Sequence, residues 1–206
     1  MKIQKIIPLT LVAIAIAVGC KKDESPSATV EWDQTQYTLE IGDFPPAPIS
    51  TDNALTNQGV KLGRMLFYEK KLSKDNSMSC ASCHRQEHAF SDTNRFSIGV
   101  DGLPGGRQAM AVFNMAWNTN EFFWDGRAHL LRDQSLMPIQ DPLEMHETLP
   151  NVVVKLSEDQ NYKDQFKRAF GSEEITSLKM SLAMEQFMNS IVSVDSKFDK
   201  ELRGDA

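Results

Sequence analysis

The sequence predicts an all-α domain with long irregular loops, and three observations carry that expectation. Apolar residues recur at helical spacing in several separate windows, and no window alternates convincingly with the period of two that a half-buried strand needs. Glycine and proline gather in one stretch, Phe90 to Arg107, which holds Gly99, Gly102, Pro104, Gly105 and Gly106 and reads as a single long loop. Loops of that length in compact domains usually carry function or are disordered.

The N-terminus reads as a targeting segment. Lys2 and Lys5 give it a positive start, and Leu9 to Val18 form an apolar core too short to span a bilayer. It closes on Ala17-Val18-Gly19-Cys20 and is followed by the polar run Lys21 to Ser27. That arrangement resembles a bacterial lipoprotein processing site. The resemblance implies cleavage before Cys20, acyl chains on Cys20, and a protein tied to a membrane only through that lipid, on the periplasmic side. Residues 1–19 are then a signal peptide, 20–52 a lipidated flexible tether rich in Pro, Ser and Asp, and 53–206 one folded domain of about 150 residues. The net charge of −6 becomes about −8 once Lys2 and Lys5 are removed, a poor balance for a nucleic-acid binder.

Within 53–206 the elements run in order. Leu55, Val60, Leu62, Met65 and Leu66 predict a first helix to about Tyr68, with Thr51 and Asp52 as cap candidates. Ser73 to Ser79 is polar and leads into Cys80-Ala81-Ser82-Cys83-His84. After the glycine loop, Ala109 to Trp117 is apolar enough for a short helix. Trp124 to Arg127 reads as a turn, and His129 to Ser135 as another helical piece. Pro138, Pro142 and Pro150 punctuate the stretch beyond it. Val152 to Leu156 and Tyr162 to Phe170 predict two helices, the second closed by Gly171 as C-cap. A last helix runs from about Thr176 to Val192 with Leu178, Leu182, Phe187 and Ile191 on one stripe.

Three cysteines are an odd number for an exported chain, but Cys20 belongs to the expected anchor and Cys80 and Cys83 to one motif. Cys-x-x-Cys-His is the attachment signature of c-type haem: two thiols a turn apart add to the porphyrin vinyl groups, and the adjacent imidazole, His84, binds the iron. A thioredoxin-like motif would need a βαβ context. A structural zinc site would need two more ligands, and only His88, His129 and His146 remain. The motif predicts one covalent haem c. It leaves open whether the iron serves electron transfer, with a sixth ligand such as one of the ten methionines, or peroxide chemistry at an open position.

Five segments decide the context: Leu62-Gly63-Arg64-Met65-Leu66-Phe67, Ser79 to His84, Ser97-Ile98-Gly99, Phe122-Phe123-Trp124-Asp125-Gly126-Arg127 and Asp141-Pro142-Leu143-Glu144-Met145. In that order they resemble the N-terminal, peroxidatic domain of the bacterial di-haem cytochrome c peroxidases, a family that includes MauG-type enzymes. The resemblance implies reduction of hydrogen peroxide with electrons from a small cytochrome or copper protein. It also implies roles: Glu144 moves a proton between the peroxide oxygens, Gln134 positions it, and Trp124 relays electrons between haems. Without the motifs, Glu144 would read as a surface acid, Gln134 as a solvated helix residue and Trp124 as a core aromatic.

Three departures qualify the likeness. Val100 stands where many family members carry a histidine that blocks the haem until a second haem is reduced, so an open iron position is expected. His88 is expected to pack locally, and His129 and His146 to lie at the surface. The chain stops after Phe198 to Gly204, where family members pass into a second haem domain, so a second haem domain or subunit is an expected partner. The resemblance also implies a calcium site between the two domains, which is doubtful here: Gln108 replaces an asparagine common at that site, and the other half would supply further ligands. Two readings stay beside the peroxidase: an electron-transfer cytochrome without enzymatic activity, and a MauG-like oxidase acting on a protein side chain.

Overall fold

The computed structural model describes residues 29–118 and 121–205, so the expected signal peptide and Cys20 lie outside the described residues. Among the described residues seven α-helices run in order: α1 Asn57–Phe67, α2 Cys80–Cys83, α3 Leu131–Gln140, α4 Leu149–Ser157, α5 Gln160–Phe170, α6 Ser177–Ser190 and α7 Lys197–Arg203. Among the described residues β-pairing is confined to four isolated bridges, so the all-α expectation holds.

The scaffold is α1 crossed on α6. Thr56 caps α1 by accepting from the Gly59 N–H at 3.0 Å. Leu62, Leu66 and Phe67 are buried on the face it turns inward. Each such side chain contributes roughly 1.5–3 kcal/mol. Gly63 makes the crossing possible, because a Cβ there would lie 1.9 Å from the Ala183 carbonyl and 2.6 Å from the Phe187 Cβ. α5 packs Tyr162, Phe166 and Ala169 inward, and α4 adds Val152 and Leu156. Gly171 ends α5 in the left-handed region at φ 75°, donating to the Lys167 carbonyl, as its position in the sequence predicts.

Arg132 joins α3 to this scaffold. Its guanidinium reaches Asp52 at 2.9 Å and the buried Glu185 of α6 at 3.0 Å. Glu185 also accepts from Asn53 at 2.6 Å, and Asn53 in turn accepts from Gln186 at 2.8 Å. α3 is thereby fixed at its N-terminal end, two residues before Gln134.

Several expected elements differ. Thr56, not Thr51 or Asp52, caps α1; residues 51–53 form a separate 3-10 turn. Ala109 to Asn114 is not helical, and only Met115–Trp117 makes a 3-10 turn. Ala109 to Val112 line a cavity, and Asn114 turns left-handed at φ 55°. The helical piece expected at 129–135 is α3, which starts later and continues through Pro138. α6 has the expected extent, but its buried face is Met180, Ala183, Met184, Phe187 and Met188, while Leu178 is 61% exposed. Residues 29–52, within the expected tether, lie along the domain: Tyr37 N–H donates to Leu55 O at 3.0 Å, and Phe44 meets the Trp117 ring edge-on at 4.9 Å.

Candidate haem site

α2 is a single turn, and its shortness serves the motif. Ser79 N–H donates to the Ser82 hydroxyl at 3.0 Å, and His84 N–H to the Cys80 carbonyl at 2.9 Å, so both thiols and the imidazole leave one rigid turn. Directly after it the chain doubles back through Ala89 at φ 56° and Phe90 at φ 54°. Two consecutive non-glycine residues in the left-handed region cost about 1–2 kcal/mol each. The return brings the Phe90 carbonyl to 3.1 Å from His84 Nδ1. With Nδ1–H donating to that carbonyl, Nε2 keeps its lone pair for a metal. Burial pushes the His84 pKa down, which favours the neutral ligand form.

His84 and Cys83 line a cavity of about 510 Å³, and a smaller lobe of about 50 Å³ adjoins it and reaches Cys80. Cys80 and Cys83 are both unpaired. Cys80 lines the smaller lobe and Cys83 both, and burial pushes the Cys80 thiol up to about 12 and raises Cys83 as well. Gln134 on α3 and Glu144, in the turn after α3, line both lobes together with Cys83 and His84. Glu144 is partly buried, and that burial, reinforced by Asp141, raises its pKa to about 6 against the pull of Arg127. Neither the solvated-helix reading of Gln134 nor the surface-acid reading of Glu144 matches these positions.

The glycine loop lies against the Glu144 turn. Val100 N–H donates to the Glu144 carbonyl at 2.8 Å, and a Cβ on Gly99 would lie 2.2 Å from the Leu143 carbonyl. Ile98 and Gly99 line the cavity edge. Asp101 holds the far side of this contact by pairing with Lys74 at 2.9 Å and with His146 Nδ1. His129 pairs with Glu121 at 3.1 Å, and His88 is exposed, so of the four histidines His84 is the one that lines the cavity.

Trp124 stands at the cavity edge, 61% exposed, with its indole N–H donating to the Gln108 carbonyl at 3.0 Å. A core-aromatic reading does not fit that exposure. Asp125 bridges Arg107 at 2.6 Å and Arg127 at 2.8 Å, and the Arg127 guanidinium lies 3.6 Å from the Phe123 ring centre. The sequence predicts a turn at 124–127 but not this cationic rim, because Arg107 and Arg127 flank Asp125 only where the glycine loop and the turn meet. Met110, Met115 and Met188 also line the large lobe.

The donor set fits a haem. One oriented imidazole and two unpaired thiols on one turn border a partly open cavity of cofactor size, and two guanidiniums at its rim suit the carboxylates of a porphyrin.

These features define a c-type haem-binding redox domain. The chain belongs to the di-haem cytochrome c peroxidase family, whose profile matches residues 57–206. It is 38% identical over 164 residues to the cytochrome c551 peroxidase of Nitrosomonas europaea, covering 77% of this chain and 48% of that one. It is 33% identical over 160 residues to the methylamine utilization protein MauG of Methylophilus methylotrophus, covering 78% and 47%. The crystal structure of a MauG-like protein associated with microbial copper homeostasis superposes with a TM-score of 0.76 at 31% identity, over 82% of this chain and 51% of that one. The chain thus spans about half the length of the relatives it matches.

Proposed function

We propose that this chain carries the peroxide-reducing haem site of a cytochrome c peroxidase, converting hydrogen peroxide, with two electrons and two protons, to two waters. The observation that carries the reading is Glu144: a carboxyl held near pKa 6 in the same cavity as the His84 imidazole and the Gln134 amide. When bound, a single haem c attached through Cys80 and Cys83 supplies a redox-active iron with a position for peroxide and a porphyrin that stores oxidising equivalents. Glu144 accepts the proton of one peroxide oxygen and returns it to the other, which a carboxyl poised near neutrality does in both directions. Gln134 would donate an amide hydrogen bond that orients the peroxide beside Glu144. Val100 offers no side chain able to block the iron. Trp124 presents an indole at the cavity edge for electrons that arrive from a small cytochrome or copper protein by way of a second haem domain or subunit. Calcium has no part in this reading. Acylation of Cys20 would hold the domain on the periplasmic side of a bacterial membrane.

Stopped-flow mixing of the haem-loaded chain with stoichiometric peroxide tests the reading. A rapid shift of the Soret band, slowed about 10²-fold or more in Glu144→Gln, is expected. No shift over seconds overturns it.

One observation favours a second reading. Met110, Met115 and Met188 border the cavity, and a thioether on the iron would make the protein an electron carrier. A low-spin His/Met spectrum in the ferric protein would select that reading; a high-spin spectrum with ready cyanide binding is expected instead.

A further inference from the structure

Asp92 is a buried charge that the peroxide mechanism does not use. It lies two residues after Phe90, on the chain that returns to orient His84, and its side chain is 6% exposed. Both oxygens are occupied. Oδ1 accepts from Arg85 Nη2 at 3.1 Å, from the Asn94 backbone N–H at 3.0 Å and from Asn94 Nδ2 at 3.2 Å, and Oδ2 accepts from the Ser97 hydroxyl at 2.7 Å. Burial alone would raise its pKa; the Asn94 and Ser97 hydrogen bonds and Arg85 outweigh it, and the net direction is down. Asp92 is therefore ionised at neutral pH.

The ion pair is a poor device for stability. Arg85 is 34% exposed, and its Nε is buried without a hydrogen-bond partner. A buried pair with an orphaned donor contributes little net to folding, and such a group calls for another explanation. The asymmetry of the pair supplies one. Arg85 is partly exposed, so water screens its charge more than that of the enclosed carboxylate. The Arg85–Ser91 bridge, with the Arg85 N–H on the Ser91 carbonyl at 3.2 Å, brings the chain at Asp92 back beside the Cys83–His84 turn.

We propose that Asp92 tunes the haem: its enclosed carboxylate, set beside the Cys83–His84 attachment turn and anchored by Arg85, Asn94 and Ser97, lowers the reduction potential of the iron that His84 binds. The couple is the one-electron reduction of ferric to ferrous iron, with no bond made or broken and no proton transferred. Reduction removes one positive charge from the centre, so a fixed negative charge nearby favours the ferric form. A low potential keeps the iron ferric, the state in which it meets peroxide in the proposed reaction.

The inference rests on His84 binding a haem, and the experiment separates the two. Covalent haem content of the full chain, measured as the pyridine haemochrome, tests attachment. A spectroelectrochemical titration at pH 7, in which mediators deliver the electron, then tests the tuning in Asp92→Asn and Arg85→Gln. Asp92→Asn is expected to raise the midpoint potential and Arg85→Gln to lower it, with the Soret spectrum of each ferric variant unchanged. The Asp92→Asn shift is expected to persist at high salt, because the group is enclosed. An unchanged potential in Asp92→Asn, or shifts of the same sign in both variants, overturns the proposal. If Asp92→Asn fails to take up haem, an unchanged or raised potential in Arg85→Gln overturns it alone.

Discussion

The backbone N–H of Val100 donates to the carbonyl of Glu144 at 2.8 Å, so the glycine loop is laid on the turn that carries the proposed proton-transfer group. Gly99 permits that approach. A methyl at Gly99 would meet the Leu143 carbonyl at 2.2 Å and the Glu144 carbonyl at 2.8 Å, both backbone atoms that cannot swing away. Gly99→Ala is therefore expected to destabilise the domain by about 1–3 kcal/mol, the usual cost of overpacking, and to slow the reaction with peroxide by displacing Glu144. Denaturant melts and stopped-flow rates on the same preparation check both effects; a normal rate would show that the loop does not set the Glu144 position.

The raised pKa of Glu144 fixes the direction of two pH effects. As an acceptor it must be ionised, so the rate with peroxide is expected to fall as pH drops through about 6, and Glu144→Gln is expected to lack that limb. Stability runs the other way. A carboxyl with a folded-state pKa above its ordinary 4.5 contributes stability that is present below that value and is lost as pH rises through about 6. Glu144→Gln should then match the parent near pH 4 and exceed it above pH 7 by at most about 2 kcal/mol. Thermal melts across that range check it, and a constant difference would place the Glu144 carboxyl in water.

The haem turn was legible because covalent attachment demands a fixed spacing; Glu144 and Trp124 sit inside recognisable segments, whereas Gln134 lies outside all five of them and was singled out only through the family resemblance, and all three line the cavity. The contacts that hold them were not legible. Phe90 orients His84 through a carbonyl, which every residue possesses, and reaches it through left-handed conformations at Ala89 and Phe90 that neither residue type advertises. Residues 109–112 are apolar and line a cavity, and composition does not distinguish a cavity wall from a helix face. On α6 the leucines misled: Leu178 is exposed, and methionines and alanine carry the core, since unbranched Met fills the irregular space beside the haem turn and Ala admits α1.

Arg132 binds a carboxylate that has little access to water. Removing the guanidinium leaves Glu185, with 9% of its side chain exposed, without its cation, and loss of one partner from a buried pair costs about 3–5 kcal/mol. Arg132→Met is expected to fall in that range by urea denaturation. Arg132→Met with Glu185→Leu should recover most of the loss, because two apolar groups leave no uncompensated charge. Additive losses in the double variant would mean that the two side chains stabilise the fold independently.

Trp124 separates structure from electron delivery. Its ring is 61% exposed and is held mainly by one hydrogen bond to the Gln108 carbonyl, so replacement with phenylalanine is expected to change stability by no more than about 0.5–1.5 kcal/mol. If the indole relays electrons, Trp124→Phe should leave the first reaction with peroxide unchanged and slow the subsequent return of the Soret band when a reduced donor is added. The two phases are read in one sequential-mixing experiment. A slowed first phase would move Trp124 into the peroxide site, and two unchanged phases would leave it as a rim contact that pins the glycine loop through Gln108.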